Sequence, residues 1–168
     1  MVAAALTLSF ALAAGGAQVW AARRAARVWV LPQSSIVQVG AAVTVAIKIR
    51  DARNVGSVPF TLQYDPSILE LVSSSPMEGS FLRRDGSPTS FLAKAASPAG
   101  GGGVVVGLSR LGGGRGARGQ GILCTLTFRA RSAGVTPLAF SRASVMDPSA
   151  QPLEARFEAA TITVRGSP

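Results

Sequence analysis

The sequence predicts an all-β chain folded as a two-sheet sandwich, and three observations carry that expectation. Apolar and polar residues alternate with a period of two over several short runs, Gly and Pro punctuate the gaps, and nothing after the N-terminal apolar run sustains a helical period. Short strands with one apolar face each must bury that face, and two packed sheets achieve this. The chain has 168 residues and is 48% hydrophobic, one domain's worth with room for a short leader. A chain of this size buries roughly 70% of its unfolded surface, so the core needs no disulfide staples.

The elements follow in order. Val2 to Ala14 is apolar and is followed by small residues and Val19-Trp20-Ala21, so residues 1–21 read as a secretory signal peptide cleaved after Ala21. An uncleaved anchor is the alternative. The run is shorter than the roughly 20 residues that span a bilayer, and no integral span is expected after cleavage. The mature protein is therefore expected to be secreted or extracytoplasmic, in the periplasm or at the surface of a bacterium. Residues 22–27 read as a basic linker and 28–165 as the sandwich domain. Val28 to Leu31 opens the sandwich. A turn and Val37 to Gly40 then lead into a strand in which Val43, Val45, Ile47 and Ile49 alternate with Thr44, Ala46, Lys48 and Arg50. Asp51 to Gly56 reads as a turn cluster.

Val58 to Gly86 is the most informative stretch. Val58, Phe60, Leu62 and Tyr64 alternate with Pro59, Thr61 and Gln63, and Asp65-Pro66 ends the strand because Pro has no N–H to give a ladder. Ile68, Leu69 and Leu71 then return to the core. Thr89 to Ala95 and Val104 to Leu108 are strands separated by a run of glycines. Ile122, Cys124, Leu126 and Phe128 alternate with Leu123, Thr125, Thr127 and Arg129 and place Cys124 on the core face. Thr136 to Phe140, Ala143 to Met146 and Thr161 to Val164 complete about nine short strands.

Composition excludes several chemistries. There is no histidine and one cysteine, so Ser-His-Asp triads, Cys-His dyads, a disulfide framework and a multi-cysteine zinc site are all out of reach. The net charge of +9 comes from 15 Arg and 2 Lys against eight acids. These bases are scattered, with clusters only at Arg23-Arg24-Arg27 and Arg83-Arg84, so no nucleic-acid partner is expected. Gly114 to Gly119 matches Gly-x-Gly-x-x-Gly, but that fingerprint needs a helix directly after it, and a strand follows. A flexible loop is the reading there. The same loop with Arg110, Arg115 and Arg118 mimics an Arg-Gly RNA-binding tract, yet it lacks stacking aromatics. The acids form no evident catalytic pair and no calcium loop. Asp65 reads as the cap of its turn. No enzyme activity, cofactor or metal is expected. Trp29, Phe81 and Phe91 are the aromatics with the potential to stack on sugar, and Trp29 is the strongest of them.

Taken in order, these motifs resemble the cohesin family of the cellulose-binding-type β-sandwich superfamily. The resemblance rests on GAAVTVAIKIRDARNVGSVPFTLQYDPSILEL, GSFL, GLSR (Gly107 to Arg110), GILCTLTFRA (Gly121 to Ala130), the Gly134-x-x-Pro137-Leu138 turn and the closing TITV. It spans about Val28 to Val164. It implies a nine-stranded jelly-roll sandwich, non-catalytic and exported, that binds a partner through one sheet face. In scaffold-type cohesins that partner is a dockerin, and the matching contact positions here are Ser57, Pro59, Thr61 and Gln63. Pro59 departs from the family pattern, where an acidic or amide side chain is expected. A dockerin-like or envelope or secretion-assembly protein is thus the expected partner. Polysaccharide binding through Trp29 is the alternative that the superfamily implies.

Overall fold

Strand formation begins at Ala26, because from there every second residue is buried and its neighbour is not. The computed structural model describes residues 25–32, 34–96, 102–112 and 114–166. The expected leader, residues 1–21, and the first three residues of the expected linker lie outside them. Fourteen strands are assigned among the described residues: β1 (Ala26–Leu31), β2 (Ser34–Gln38), β3 (Ala42–Val55), β4 (Phe60–Gln63), β5 (Leu69–Leu71), β6 (Met77–Glu78) and β7 (Thr89–Ala95), then β8 (Gly103–Arg110), β9 (Ala117–Ala130), β10 (Gly134–Ser141), β11 (Val145–Met146), β12 (Pro152–Leu153), β13 (Ala155–Glu158) and β14 (Ala160–Arg165). Ala26 and Arg27, read from sequence as linker, are sheet residues, and Arg27 Nε donates to Glu158 Oε1 at 2.6 Å.

Two six-stranded sheets form the layers. One runs β13-β1-β3-β9-β5 with β6 also on β9; the other runs β2-β14-β10-β4-β8-β7, and β11 and β12 make a small separate pair. Pairing is antiparallel except for β1 with β13 and β14 with β2. The core between the layers takes Val28, Val45, Ile47, Ile49, Leu126 and Phe128 from one sheet and Phe60, Leu62, Val106, Leu108, Leu138 and Ile162 from the other, all fully or almost fully buried. Tyr64 meets Phe128 edge-on with ring centroids 5.0 Å apart, a contact between the sheets.

The expected sandwich is therefore present, with more strands than the nine expected. Short paired segments account for the excess: β6, β12 and β13 have no alternation long enough to register, and β2 forms where a turn into Val37 was expected. Asp51 to Gly56 is not a turn. β3 continues through it to Val55, with Asp51 and Asn54 at φ of 55° and 58°, and the register with β9 shifts between Ile49 and Ala52 and again between Ala52 and Val55. Those are bulges, which absorb turn-type residues without ending the strand. A further shift sets Ile47 opposite Cys124 but Lys48 opposite Ile122, so Leu123 is the extra residue. Its consequence corrects the expected alternation: Leu123 and Cys124 are both buried, and Ile122, expected in the core, is turned outward at 37% exposure.

Candidate functional site

Alternation along Val58 to Tyr64 buries Val58, Phe60, Leu62 and Tyr64, so Ser57, Pro59, Thr61 and Gln63 share the opposite, outward side of the second sheet. Gln63 is exposed and the other three are half-buried. Register then supplies their neighbours. Thr61 sits between Val105 of β8 and Ser141 of β10, and Lys94 of β7 extends that row past Val105. Gln63 lies between Gly103 and Ala139. Ser57 bridges Ser109 and Met146 just outside β4, and Ser90 continues that row. The residues that sequence reasoning missed are thus those brought in by pairing: Leu92 and Lys94, Val105, Ala139 and Ser141. The alternation of TSFLAKA does mark Leu92 and Lys94 as the wet face of their strand, but no pattern says which strand lies beside β4.

The resulting face is low in charge. The six strands of this sheet contain no Asp or Glu, and Lys94 is the cation among the outward residues of its four strands β10-β4-β8-β7. Apolar groups stand out of it: Leu92 is 56% exposed and Val105 40%. Gly107 pairs with Leu92 on β7, and a Cβ there would meet nothing within 4 Å, so the face carries a notch at that point. At the β4–β10 end a hollow of about 460 Å³ is lined by Gln63, Asp65, Val135, Pro137 and Ala139, among others.

The Tyr-Asp-Pro turn fixes the end of β4. Asp65 Oδ1 accepts from the Ser67 N–H at 2.8 Å and the Ser67 hydroxyl at 2.6 Å, and these bonds hold its carboxyl below its ordinary value. Asp65 C=O accepts from the N–H of Ile68 and Leu69. Its own N–H donates to Thr136 Oγ1 at 2.9 Å, and Thr136 is completely buried. The cap expected for Asp65 is present, and β10 is tied to the turn through one hydroxyl.

Trp29 lies elsewhere. It points outward from β1, in the first sheet, so it is on the far side of the sandwich from Thr61 and Gln63. Lys48 Nζ and the Arg50 guanidinium approach its ring to 5.8 and 5.7 Å from the centroid. Phe81 is core at 1% exposure, and Phe91 packs against the core. Cys124 is buried, and burial pushes its thiol up to about 12, which leaves it protonated and inert. The Gly-x-Gly-x-x-Gly segment is followed by β9 rather than a helix, and from Ala117 it is already strand rather than the expected flexible loop. Among the described residues no three or more Cys, Asp or Glu side chains gather as a metal site.

A sequence model of the cohesin domain matches residues 28–164. The chain belongs to the cohesin family. Solved structures agree on the fold. A non-cellulosomal cohesin from the archaeon Archaeoglobus fulgidus superposes with a TM-score of 0.64 at 20% identity, covering 84% of this chain and 92% of that one. The cohesin of a type I cohesin–dockerin complex from Clostridium thermocellum gives 0.68 at 16% identity, with 85% and 95% covered. The sixth cohesin of scaffoldin B from Acetivibrio cellulolyticus, solved with a dockerin, gives 0.66 at 18% identity, with 84% and 100% covered. No curated protein matches the chain significantly. At these identities the likeness to this cohesin domain is one of fold, and the fold expected from the sequence, an all-β cohesin-like jelly-roll sandwich, is the one found.

Proposed function

We propose that this cohesin domain is a non-catalytic, exported docking module whose protein partner, a dockerin-type domain, seats on the outward face of β10-β4-β8-β7 around Ser57, Pro59, Thr61 and Gln63. The observation that carries the reading is the character of that face: four paired strands with small polar residues, exposed Leu92 and Val105, a notch at Gly107, and no carboxylate. Desolvating such a surface costs little, because few of its groups are charged. β10, β4, β8 and β7 have 8, 4, 8 and 7 residues, and at about 3.3 Å per residue with strands about 4.8 Å apart they give a face of roughly 430 Å² in projection. A stable interface takes about 800 Å² per partner, so the rim, including the hollow beside Val135 and Pro137, takes part. Family membership supports a protein partner, and related cohesins have been solved with dockerins bound.

Pro59 supplies no side-chain donor or acceptor, so recognition here leans on shape and apolar contact more than on the polar contacts of scaffold-type cohesins. The Trp29 reading gains no such support. Its ring is already approached by two cations, and it stands on the opposite sheet. The test of docking is titration of the purified chain with a panel of purified dockerins. Saturable binding of at least one is the expected result, and no binding across the panel contradicts the proposal. Export is tested by N-terminal sequencing of the protein from its host, which should begin at Ala22; a chain retaining residues 1–21 contradicts cleavage.

A further inference from the structure

A hollow of about 350 Å³ opens at the end of the sandwich where β8 finishes and β9 begins, and Arg84, Arg110, Arg115 and Arg118 all line it. Asp85 is the one carboxylate among its lining residues and Phe81 the one aromatic. Asp85 is already engaged, its Oδ2 accepting from Arg110 Nη2 at 2.8 Å. Arg110 also donates to Leu82 C=O at 2.8 Å. Arg84 lies over the Phe81 ring, 5.8 Å from its centroid, and donates to Gln120 C=O. Two guanidinium groups are thereby fixed in place. Arg115 and Arg118 are exposed, and among the described residues neither has a carboxylate within 4 Å. In the lining itself, four guanidinium groups against one carboxylate leave a surplus of three positive charges, while Arg118 also borders a neighbouring hollow lined by Asp51, Asp147 and Glu154.

The backbone builds this site. Gly116 lies so close to Asn54 that a Cβ would sit 2.2 Å from the Asn54 carbonyl carbon, and its N–H donates to Asn54 Oδ1 at 2.9 Å. That contact anchors the chain between Arg115 and Arg118. Gly121 passes beneath Arg84 and Phe81, and a Cβ there would sit 2.7 Å from Arg84 Nη2. Opposite this stretch of β9, β3 carries two bulges, between Ile49 and Ala52 and between Ala52 and Val55, and stays paired with it at Ala52–Gly119 and Val55–Ala117. An accumulation of like charge is unfavourable unless something neutralises it, and planar guanidinium forks match tetrahedral oxyanions in pairs of parallel hydrogen bonds. We propose that the hollow is a binding site for a phosphoryl group carrying two or more negative charges. A monovalent carboxylate neutralises only a third of the surplus, whereas a phosphate dianion or a pyrophosphate comes close to balancing it.

The site goes beyond the docking reading and is tested without a dockerin. The full chain is titrated with inorganic phosphate, pyrophosphate, glycerol 1-phosphate and, as a comparator, acetate, and binding is followed by calorimetry and by the amide resonances of Gly116, Ala117, Gly119 and Gly121. Pyrophosphate should bind most tightly and acetate least. Arg115→Gln and Arg118→Gln should each weaken pyrophosphate binding by about tenfold, with a smaller loss for Arg118→Lys, which keeps charge but loses the fork. Both residues are exposed, so an unchanged melting temperature certifies the variants as folded. Comparable binding of phosphate and glycerol 1-phosphate means the site takes free and esterified groups alike; a strong preference for one names the source. The proposal is overturned by no response to pyrophosphate at about 10 mM, by acetate binding as tightly as phosphate, or by unchanged affinity in both Gln variants.

Discussion

At Thr136 a single hydroxyl, completely buried, receives the N–H of Asp65 at 2.9 Å and so holds the Tyr-Asp-Pro turn against β10. A donor left without a partner where water reaches it poorly costs more than the net worth of the bond, and this bond is part-buried. Thr136→Val keeps the shape and β-branching but orphans the Asp65 N–H; chemical denaturation should show a loss of about 1–3 kcal/mol with an unchanged m-value. A change within experimental error would mean that the turn is held by the Asp65–Ser67 bonds alone. Other single residues are quiet for clear reasons. Cys124 is core filler whose thiol stays protonated, and burial likewise pushes the Tyr64 phenol above its ordinary value. On the proposed face Pro59 has no side-chain donor or acceptor, so it offers a partner no polar side-chain contact.

Among the elements, β9 carries the most consequence. Its extra residue at Leu123 places two neighbouring side chains, Leu123 and Cys124, in the core and turns Ile122 out. Strict alternation assigns the larger stability loss to Ile122, and the bulge assigns it to Leu123. Leu123→Ala should cost about 2–5 kcal/mol and Ile122→Ala about 1 kcal/mol, as measured by denaturant unfolding; the reverse order would place the bulge elsewhere. Much of the fold was legible because β1, β4, β7 and most of β9 show period-two patterns long enough to rise above noise. Asp51 to Asn54 was not, because Asp and Asn at positive φ serve a bulge as readily as a turn, and only the partner strand decides which. Two-residue strands such as β6 have no period at all. For the candidate face, the outward residues of β4 were readable from β4 alone. Leu92, Val105 and Ser141 were not assignable to it, since neighbourhood across a sheet is long-range information. The arginine hollow escaped for the same reason: Arg84 and Arg118 lie far apart in sequence and are joined only by the fold.

For the molecule as a whole, the two sheets present unlike outer faces. The second sheet offers a partly apolar surface around Thr61 and Gln63 whose strands carry no carboxylate, with Asp65 at its edge. The first offers Trp29 amid Arg27, Lys48, Arg50 and Arg156, with Arg27 and Arg156 in register across β1 and β13. A docking module needs one of these faces. The low charge, the protruding Leu92 and Val105 and the open notch at Gly107 support the second sheet as the face proposed for a protein partner. Placing bulk in the notch should block docking without disturbing the fold, because a Cβ at Gly107 meets nothing within 4 Å and the rest of the side chain extends outward from the sheet. The direct test is a comparison of dockerin binding by the unaltered chain, by Gly107→Arg and by Trp29→Ala, each checked for an unchanged melting temperature. A dockerin that binds the unaltered chain and Trp29→Ala equally, and Gly107→Arg at least about a hundredfold more weakly, is the predicted result for a substitution at the centre of an interface. Binding that survives Gly107→Arg, or that is lost in Trp29→Ala, would contradict docking on the second sheet.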